Sequence, residues 1–233
     1  MKGFDLLAIL LNPEFARMLA HGLVLTVVIA LCSWLLAMTL ALLLLTLRLT
    51  PSTLMQRAVA AYVSYHRNVP TLVQLMLWYF GISSLLPDNL QSWLSEHNAE
   101  ALFSIVALGL CQAAYFSEDL RSGLRSIPDG QAEAARALGH GFVGSMRHVL
   151  MPQAIRHAVP ALVNHSVSLF KNSSLAMAIG VVELTHAVKE IESQTFRAFE
   201  SYLVATVLYL AISLLIMAGG AWLGRRYSVA GAK

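Results

Sequence analysis

Long apolar runs separated by short polar segments organise this chain. Residues 22–47, "GLVLTVVIALCSWLLAMTLALLLLTL", carry no charged side chain, and neither do residues 201–224. A bilayer core of about 30 Å takes about 20 apolar residues of helix, so each run predicts a membrane span. Shorter runs predict three more, at about 68–87, 101–118 and 158–182. The last of these contains Lys171 and is interrupted by polar residues. No internal repeat or long linker divides the chain.

Composition agrees with the pattern. The 233 residues are 57% hydrophobic and 12% charged, with a mean hydropathy of +0.64. Soluble domains carry about 25% charged residues, so the solvent this chain is built for is lipid. The fold class expected is an all-α integral membrane protein of about five spans. A cleaved signal peptide is not expected, because Asp5 interrupts the short apolar patch near the N-terminus.

The charges orient the spans. Arg48, Arg57 and Arg67 lie in one connection, Arg121, Arg125, Arg136, Arg147 and Arg156 in another, and Arg225, Arg226 and Lys233 in the tail. The 87–100 connection has Asp88, Glu96 and Glu100 and no basic residue. The 183–200 connection mixes Lys189 and Arg197 with Glu183, Glu190, Glu192 and Glu200. Lys and Arg mark the cytoplasmic side, which puts the N-terminus outside and the C-terminus in the cytoplasm. Residues 1–19 then form an extracytoplasmic segment, 20–224 the membrane domain and 225–233 a cytoplasmic tail.

Few residues suggest chemistry. Cys32 and Cys111 sit in apolar runs and read as small hydrophobes. The eight histidines show no metal-ligand spacing, so no metal or cofactor is expected on this chain. Trp78, Tyr79, Trp93, Trp222 and Tyr227 fall near span ends, as an aromatic belt would. No GxxxxGK[ST] occurs, so ATP phosphates have no usual loop here. Nothing suggests nucleic-acid binding.

Two polar features remain inside the spans. Asn164, Ser168 and Asn172 recur every four residues and share one helix face. Lys171, with Asn172, Ser173 and Ser174 beside it, needs a partner or a water-filled cavity. Both features fit two readings: a translocation path meeting solute, or hydrogen bonds and an ion pair (with Glu118, for example) holding helices together. Gln74 and Gln112 carry the same two readings.

The connection 118–157 is the longest polar one. Pro128-Asp129-Gly130 signals a turn, helix formers follow, and Gly139 suits a helix C-cap, predicting a short helix over about 129–139. Asp129 is placed to cap it, with Ala134, Ala135 and Leu138 on one face. So small an apolar stripe does not hold a helix alone; it lies on a membrane surface or docks into a partner's groove.

"EAA" at 133–135, Gly139 and "LMPQA" at 150–154 resemble the EAA loop of ATP-binding-cassette importer permeases. "HRNVPTLVQLMLWYF" (66–80), "YFSEDLRSGLRSIPDGQ" (115–131) and "AVPALVNHSVSLFKNSSLAMAIG" (158–180) resemble the polar amino acid subfamily, and the likeness runs from about residue 20 to 222. The resemblance implies the type I ABC importer transmembrane fold and a place in the bacterial inner membrane. It also implies a dimer of ATP-binding subunits (which hold the ATP and magnesium), a sister permease or second copy of this chain, and an extracytoplasmic solute-binding protein. Carried over residue by residue, Glu133, Ala134, Ala135 and Gly139 form the helix that couples to the ATPase, and Pro152 starts the next helix. Asn164, Ser168, Lys171, Asn172, Ser173 and Ser174 line the path, although the Lys-Asn-Ser-Ser type of sequence accompanies many substrates in that family. The flavour of the motifs leans toward glutamate and aspartate as solutes. Gly141 and Gly144, with two neighbouring histidines, depart from the commoner EAA pattern. The alternative function is an ion-coupled secondary amino acid carrier, which predicts acids in the surest spans; they contain none.

Overall fold

The computed structural model describes residues 4–226. All regular elements among them are helical. After the single turn α1 (Leu7–Leu10), α2 runs unbroken over Pro13–Arg48. Asn12 caps it by accepting the Glu14 N–H at 2.9 Å, and Pro13 occupies the first turn, where its missing donor is harmless. The helix therefore starts at Pro13 rather than at Gly22. Hydropathy locates what lipid tolerates, whereas the Asn-Pro-Glu signal locates where a helix can begin. At 36 residues it is about 54 Å long, well beyond a bilayer core.

The connection expected at 48–67 is mostly helix α3 (Thr53–Asn68). Val59, Val63 and His66 fall on one face and are buried, the valines against Ala114. Val69-Pro70 then breaks the path, because the residue before proline avoids the α region. Helix α4 (Thr71–Met76) continues through a π turn at Leu77–Ile82 and a 3₁₀ turn at Ser83–Leu85. The stretch Thr71–Leu85 is apolar but shorter than the span expected over 68–87. A short amphipathic helix α5 (Asp88–Glu96) leads into α6 (Ala99–Arg125).

Helix α6 is the centre of the fold. Ala107, Leu108, Cys111, Ala113, Ala114, Phe116 and Leu120 are buried along it, against α2, α3, α4 and a later helix α9. Small residues dominate these contacts, as they do where membrane helices approach closely without a hydrophobic drive. Next come α7 (Asp129–Ala137) and α8 (Phe142–Ser145). A π turn at Met146–Leu150 leads into α9 (Met151–Asn172), which tightens to a 3₁₀ stretch over Ser173–Ile179. Gly180 then takes φ +94° and ends it. After a 54° bend, α10 (Leu184–Thr195) follows, and α11 (Ala198–Arg226) closes the described chain. The span expected over 158–182 is thus a broken one, and the expected 183–200 connection is largely helix α10.

Three helices, Pro13–Arg48, Ala99–Arg125 and Ala198–Arg226, are long and apolar enough to cross a membrane, and the bent pair, taken as one span, makes a fourth. The outer faces of α2 and α11 expose Val24, Leu31, Leu35, Leu210, Leu214 and Leu215. In water a surface of this kind is untenable; in lipid it is the expected exterior. Residues 13–19, assigned by sequence to the N-terminal segment, are the first turns of α2. Phe15 and Leu19 join Ile9 in a cluster with Leu184, Val188, Ile191 and Val204. Trp93 and Trp222 are exposed, while Trp78 and Tyr79 pack on the inner cluster of Ile29, Leu75 and Leu108. Tyr227 and Lys233, with the rest of the tail beyond Arg226, lie outside the described residues.

Candidate functional site

The loop between α6 and α9 forms a hook. Its outermost element is α7. Pro128 precedes α7 and no side chain caps it; Asp129 lies in the first turn instead of at the cap, where its charge favours the helix N-terminus. At the other end, His140 N–H donates to Ala135 O at 3.1 Å and Gly139 N–H to Arg136 O at 2.9 Å. Gly139 has φ +82°, so these two bonds make a Schellman motif that only glycine closes without strain. Helix formation resumes at Phe142, with Gly141 as its extended N-cap. A Cβ on Gly144 would lie 3.1 Å from Nδ1 of the exposed His140 side chain; Gly141 meets no such neighbour. Pro152 lies in the first turn of α9, where its missing donor costs little, directly after the π turn in which Met151 N–H reaches back to Met146 O.

Helix α7 packs on that π turn. Ala135 is 2% exposed, whereas Glu133, Ala134 and Ala137 face outward. The expected single face of Ala134, Ala135 and Leu138 is therefore split: Ala135 seats the helix and the other two look away from the chain. Leu138, Phe142 and Val143 are 80%, 68% and 73% exposed. An apolar patch beside an acidic residue, at the tip of a loop, marks an interaction surface, for a protein or for the membrane.

The expected path residues gather on the last turns of α9. Asn164 and Lys171 are exposed and Ser168 is part-exposed on the same face. Lys171 makes no ion pair among the described residues, because Glu118 is held by Arg48 and Arg121 instead. Ser173 does not join the open face; it is buried with its hydroxyl donating to Phe170 O at 2.7 Å. Ser168 and Ser174 likewise donate to Asn164 O and Lys171 O. Next to this stripe, His165 Nδ1 lies 2.6 Å from Asp119 Oδ2, under the Tyr115 ring. Gln74 is spent on structure: its carbonyl is 2.6 Å from His66 Nδ1 and its amide donates to His66 O and Val69 O, tying α3 to α4 across Pro70. Gln112 is buried with its amide nitrogen unpartnered.

One polar centre escaped the sequence reading. Glu183, counted there as a loop charge, is fully buried at the bend between the 3₁₀ stretch and α10. It caps α10 through the His186 N–H at 2.9 Å, and its other oxygen accepts from Tyr209 at 2.9 Å and Thr26 at 3.2 Å. Thr26 in turn accepts the Leu184 N–H at 3.0 Å. α2, α10 and α11 are thus joined at one carboxylate. Glu183→Ala is expected to lose the cap on α10 and the link between the three helices, at about 1–2 kcal/mol, since the Thr26 and Tyr209 hydroxyls keep Gly22 O and Thr185 Oγ1 as partners. Thermal melting of the purified protein checks this; a melting point unchanged in the variant would refute it.

Residues 44–229 match the family model for binding-protein-dependent transport system inner membrane components. The chain belongs to this family. It is accordingly a multi-pass subunit of a bacterial inner-membrane transporter. Among relatives, the glutamate/aspartate import permease protein GltJ of Escherichia coli K12 is 31% identical over 210 residues, covering 88% of this chain and 85% of the relative. The arginine ABC transporter permease protein ArtQ of Haemophilus influenzae is 32% identical over 206 residues, covering 88% and 91%. A crystal structure of an amino acid ABC transporter with histidines superposes with a TM-score of 0.83 at 26% identity, covering 96% of this chain and 99% of that one. Permeases of this family are components of binding-protein-dependent systems, which sets aside the ion-coupled carrier.

Proposed function

We propose that this chain is the membrane subunit of an ATP-driven importer of polar amino acids, with glutamate or aspartate as its solute. It transmits force and passes solute; ATP is hydrolysed on separate subunits. The reading rests most heavily on the hook between α6 and α9. Glu133, Ala134, Leu138 and Phe142 face away from the chain there, and Ala135 and Gly139 fix the helix in place. A dimer of ATP-binding subunits docks on this surface, on the cytoplasmic side given by the charge map, and its closure moves α6 and α9 together through the hook. A helix seated on the π turn that leads into α9 suits a two-state rocking of the membrane domain.

The pathway runs past the α9 face of Asn164, Ser168, Lys171, Asn172 and Ser174, opposite a second permease, either a sister chain or another copy of this one. A free ammonium on that face favours a solute bearing an extra carboxylate. The likeness to the glutamate/aspartate permease supports this lean, while the likeness to an arginine permease shows how little the shared framework dictates. An extracytoplasmic binding protein supplies the solute. Proteoliposomes holding the permease, its ATPase and its binding protein decide the matter. Uptake of labelled aspartate that requires ATP and is competed by glutamate is expected; competition by arginine alone would reassign the solute, and uptake driven by an ion gradient without ATP would refute the reading.

A further inference from the structure

A cavity of about 290 Å³ lies where the end of α2, the last turns of α3 and α6 meet. Its charges do not balance. Glu118 is the one acid lining it, and both Glu118 oxygens are taken, one by Arg48 and the other by Arg121. Arg67 also lines the cavity, but its guanidinium rests over the Tyr115 ring at 5.5 Å and meets no carboxylate among the described residues. Three guanidiniums therefore share one carboxylate. A guanidinium has five donors and no acceptor, so Arg67 presents a fork of unclaimed N–H groups to the cavity. Ser64 and Asn68 stand beside it, linked by the Asn68 amide donating to Ser64 O at 2.7 Å. The Ser64 hydroxyl accepts from the same amide at 3.4 Å and donates to no group among the described residues.

The surroundings indicate which oxyanion fits. Arg48 is the last residue of a long apolar helix, so the cavity lies at the level where hydrocarbon gives way to headgroups. Its remaining wall is Ala60 and Val63, which suits the start of an acyl chain. Planar forks of this kind match phosphate oxygens two at a time, and basic pockets between helices at this depth favour anionic lipid headgroups.

We propose that Arg67, Arg48 and Ser64 form a binding site for the phosphate of an anionic phospholipid. The site lies off the α9 face assigned to solute and does not depend on which leaflet it faces, since both carry phosphate.

The test compares the permease–ATPase complex with its Arg67→Gln and Arg67→Lys variants in a phosphate-free detergent. Phosphatidylglycerol, a phosphate-free glycosyl diacylglycerol with the same acyl chains, inorganic phosphate and aspartate are each titrated against the melting temperature. Phosphatidylglycerol is expected to raise it saturably, with apparent affinity about tenfold or more weaker in Arg67→Gln and only partly restored in Arg67→Lys, which keeps the charge and loses the fork. Arg67 acts on Glu118 only at longer range and makes no close ion pair among the described residues, so the glutamine variant keeps the Arg48–Glu118–Arg121 network and its fold. An equal shift with the phosphate-free lipid, or phosphatidylglycerol affinity unchanged in Arg67→Gln, overturns the site. Arg67-dependent stabilisation by inorganic phosphate with nothing added by the lipid overturns the lipid assignment. The same dependence with aspartate instead of phosphate overturns it in favour of a solute carboxylate.

Discussion

Reversing the charge at Glu133 is expected to abolish ATP-driven uptake while leaving the permease folded. Glu133 is exposed, sits mid-helix on α7 and makes no ion pair among the described residues. Substitutions at such surface positions change stability by about 0.5 kcal/mol or less. At an interface the effect is different, because like charges brought together cost several kcal/mol. Glu133→Arg should therefore lower ATPase retention in a pull-down and substrate-stimulated hydrolysis by at least about tenfold, one factor of ten being about 1.4 kcal/mol. Phe142→Ser should weaken the same interaction without touching any charge, because Phe142 extends the apolar patch beyond the EAA segment. A Glu133→Arg variant that retains the ATPase and transports normally would remove α7 from the coupling role.

How much of this was legible in the sequence follows from what each signal encodes. The apolar runs placed α2, α6 and α11, because a bilayer imposes length and composition on anything that crosses it. They misplaced where α2 begins, since Glu14, Arg17 and His21 lower hydropathy without disturbing a helix. They also hid α3 and α10, whose amphipathic faces look like connections when only hydropathy is summed. Helix α7 was legible to within two residues because Pro128 and Gly139 punctuate it locally. Its facing was not: which alanine turns inward depends on the π turn beneath, and nothing local to "EAA" reports that turn. Glu183 was illegible for a related reason. It pairs with no cation among the described residues and is held by donors from α2, α10 and α11, which only the tertiary fold brings together. Asn164, Ser168 and Lys171 fall between these cases. Their shared face is a matter of spacing, but spacing does not encode what that face meets.

The same dependence on tertiary fold makes Gly123 the position where a small change should do most damage to the fold. A Cβ there would land on the Ala154 carbonyl and lie 3.1 Å from Ala158 Cβ, so the obstruction is backbone and cannot swing aside. α6 and α9 meet at this point, just above the hook, and their spacing is set by the absence of a side chain. Gly123→Val must push the two helices apart, and the upper end of the ~1–3 kcal/mol range for overpacked cores is the expected penalty. Gly219→Ala supplies the comparison, because a Cβ on Gly219 meets nothing within 4 Å. There the gain in helix propensity should leave the melting point level or slightly higher. Separation of α6 from α9 also loosens the seat of α7, so Gly123→Val should lose ATPase stimulation at temperatures where the protein is still folded. Equal melting curves for the two glycine variants would show that the α6–α9 contact has more slack than its geometry indicates. Loss of coupling with an unchanged melting point would show that the crossing sets the position of the hook more than the stability of the bundle.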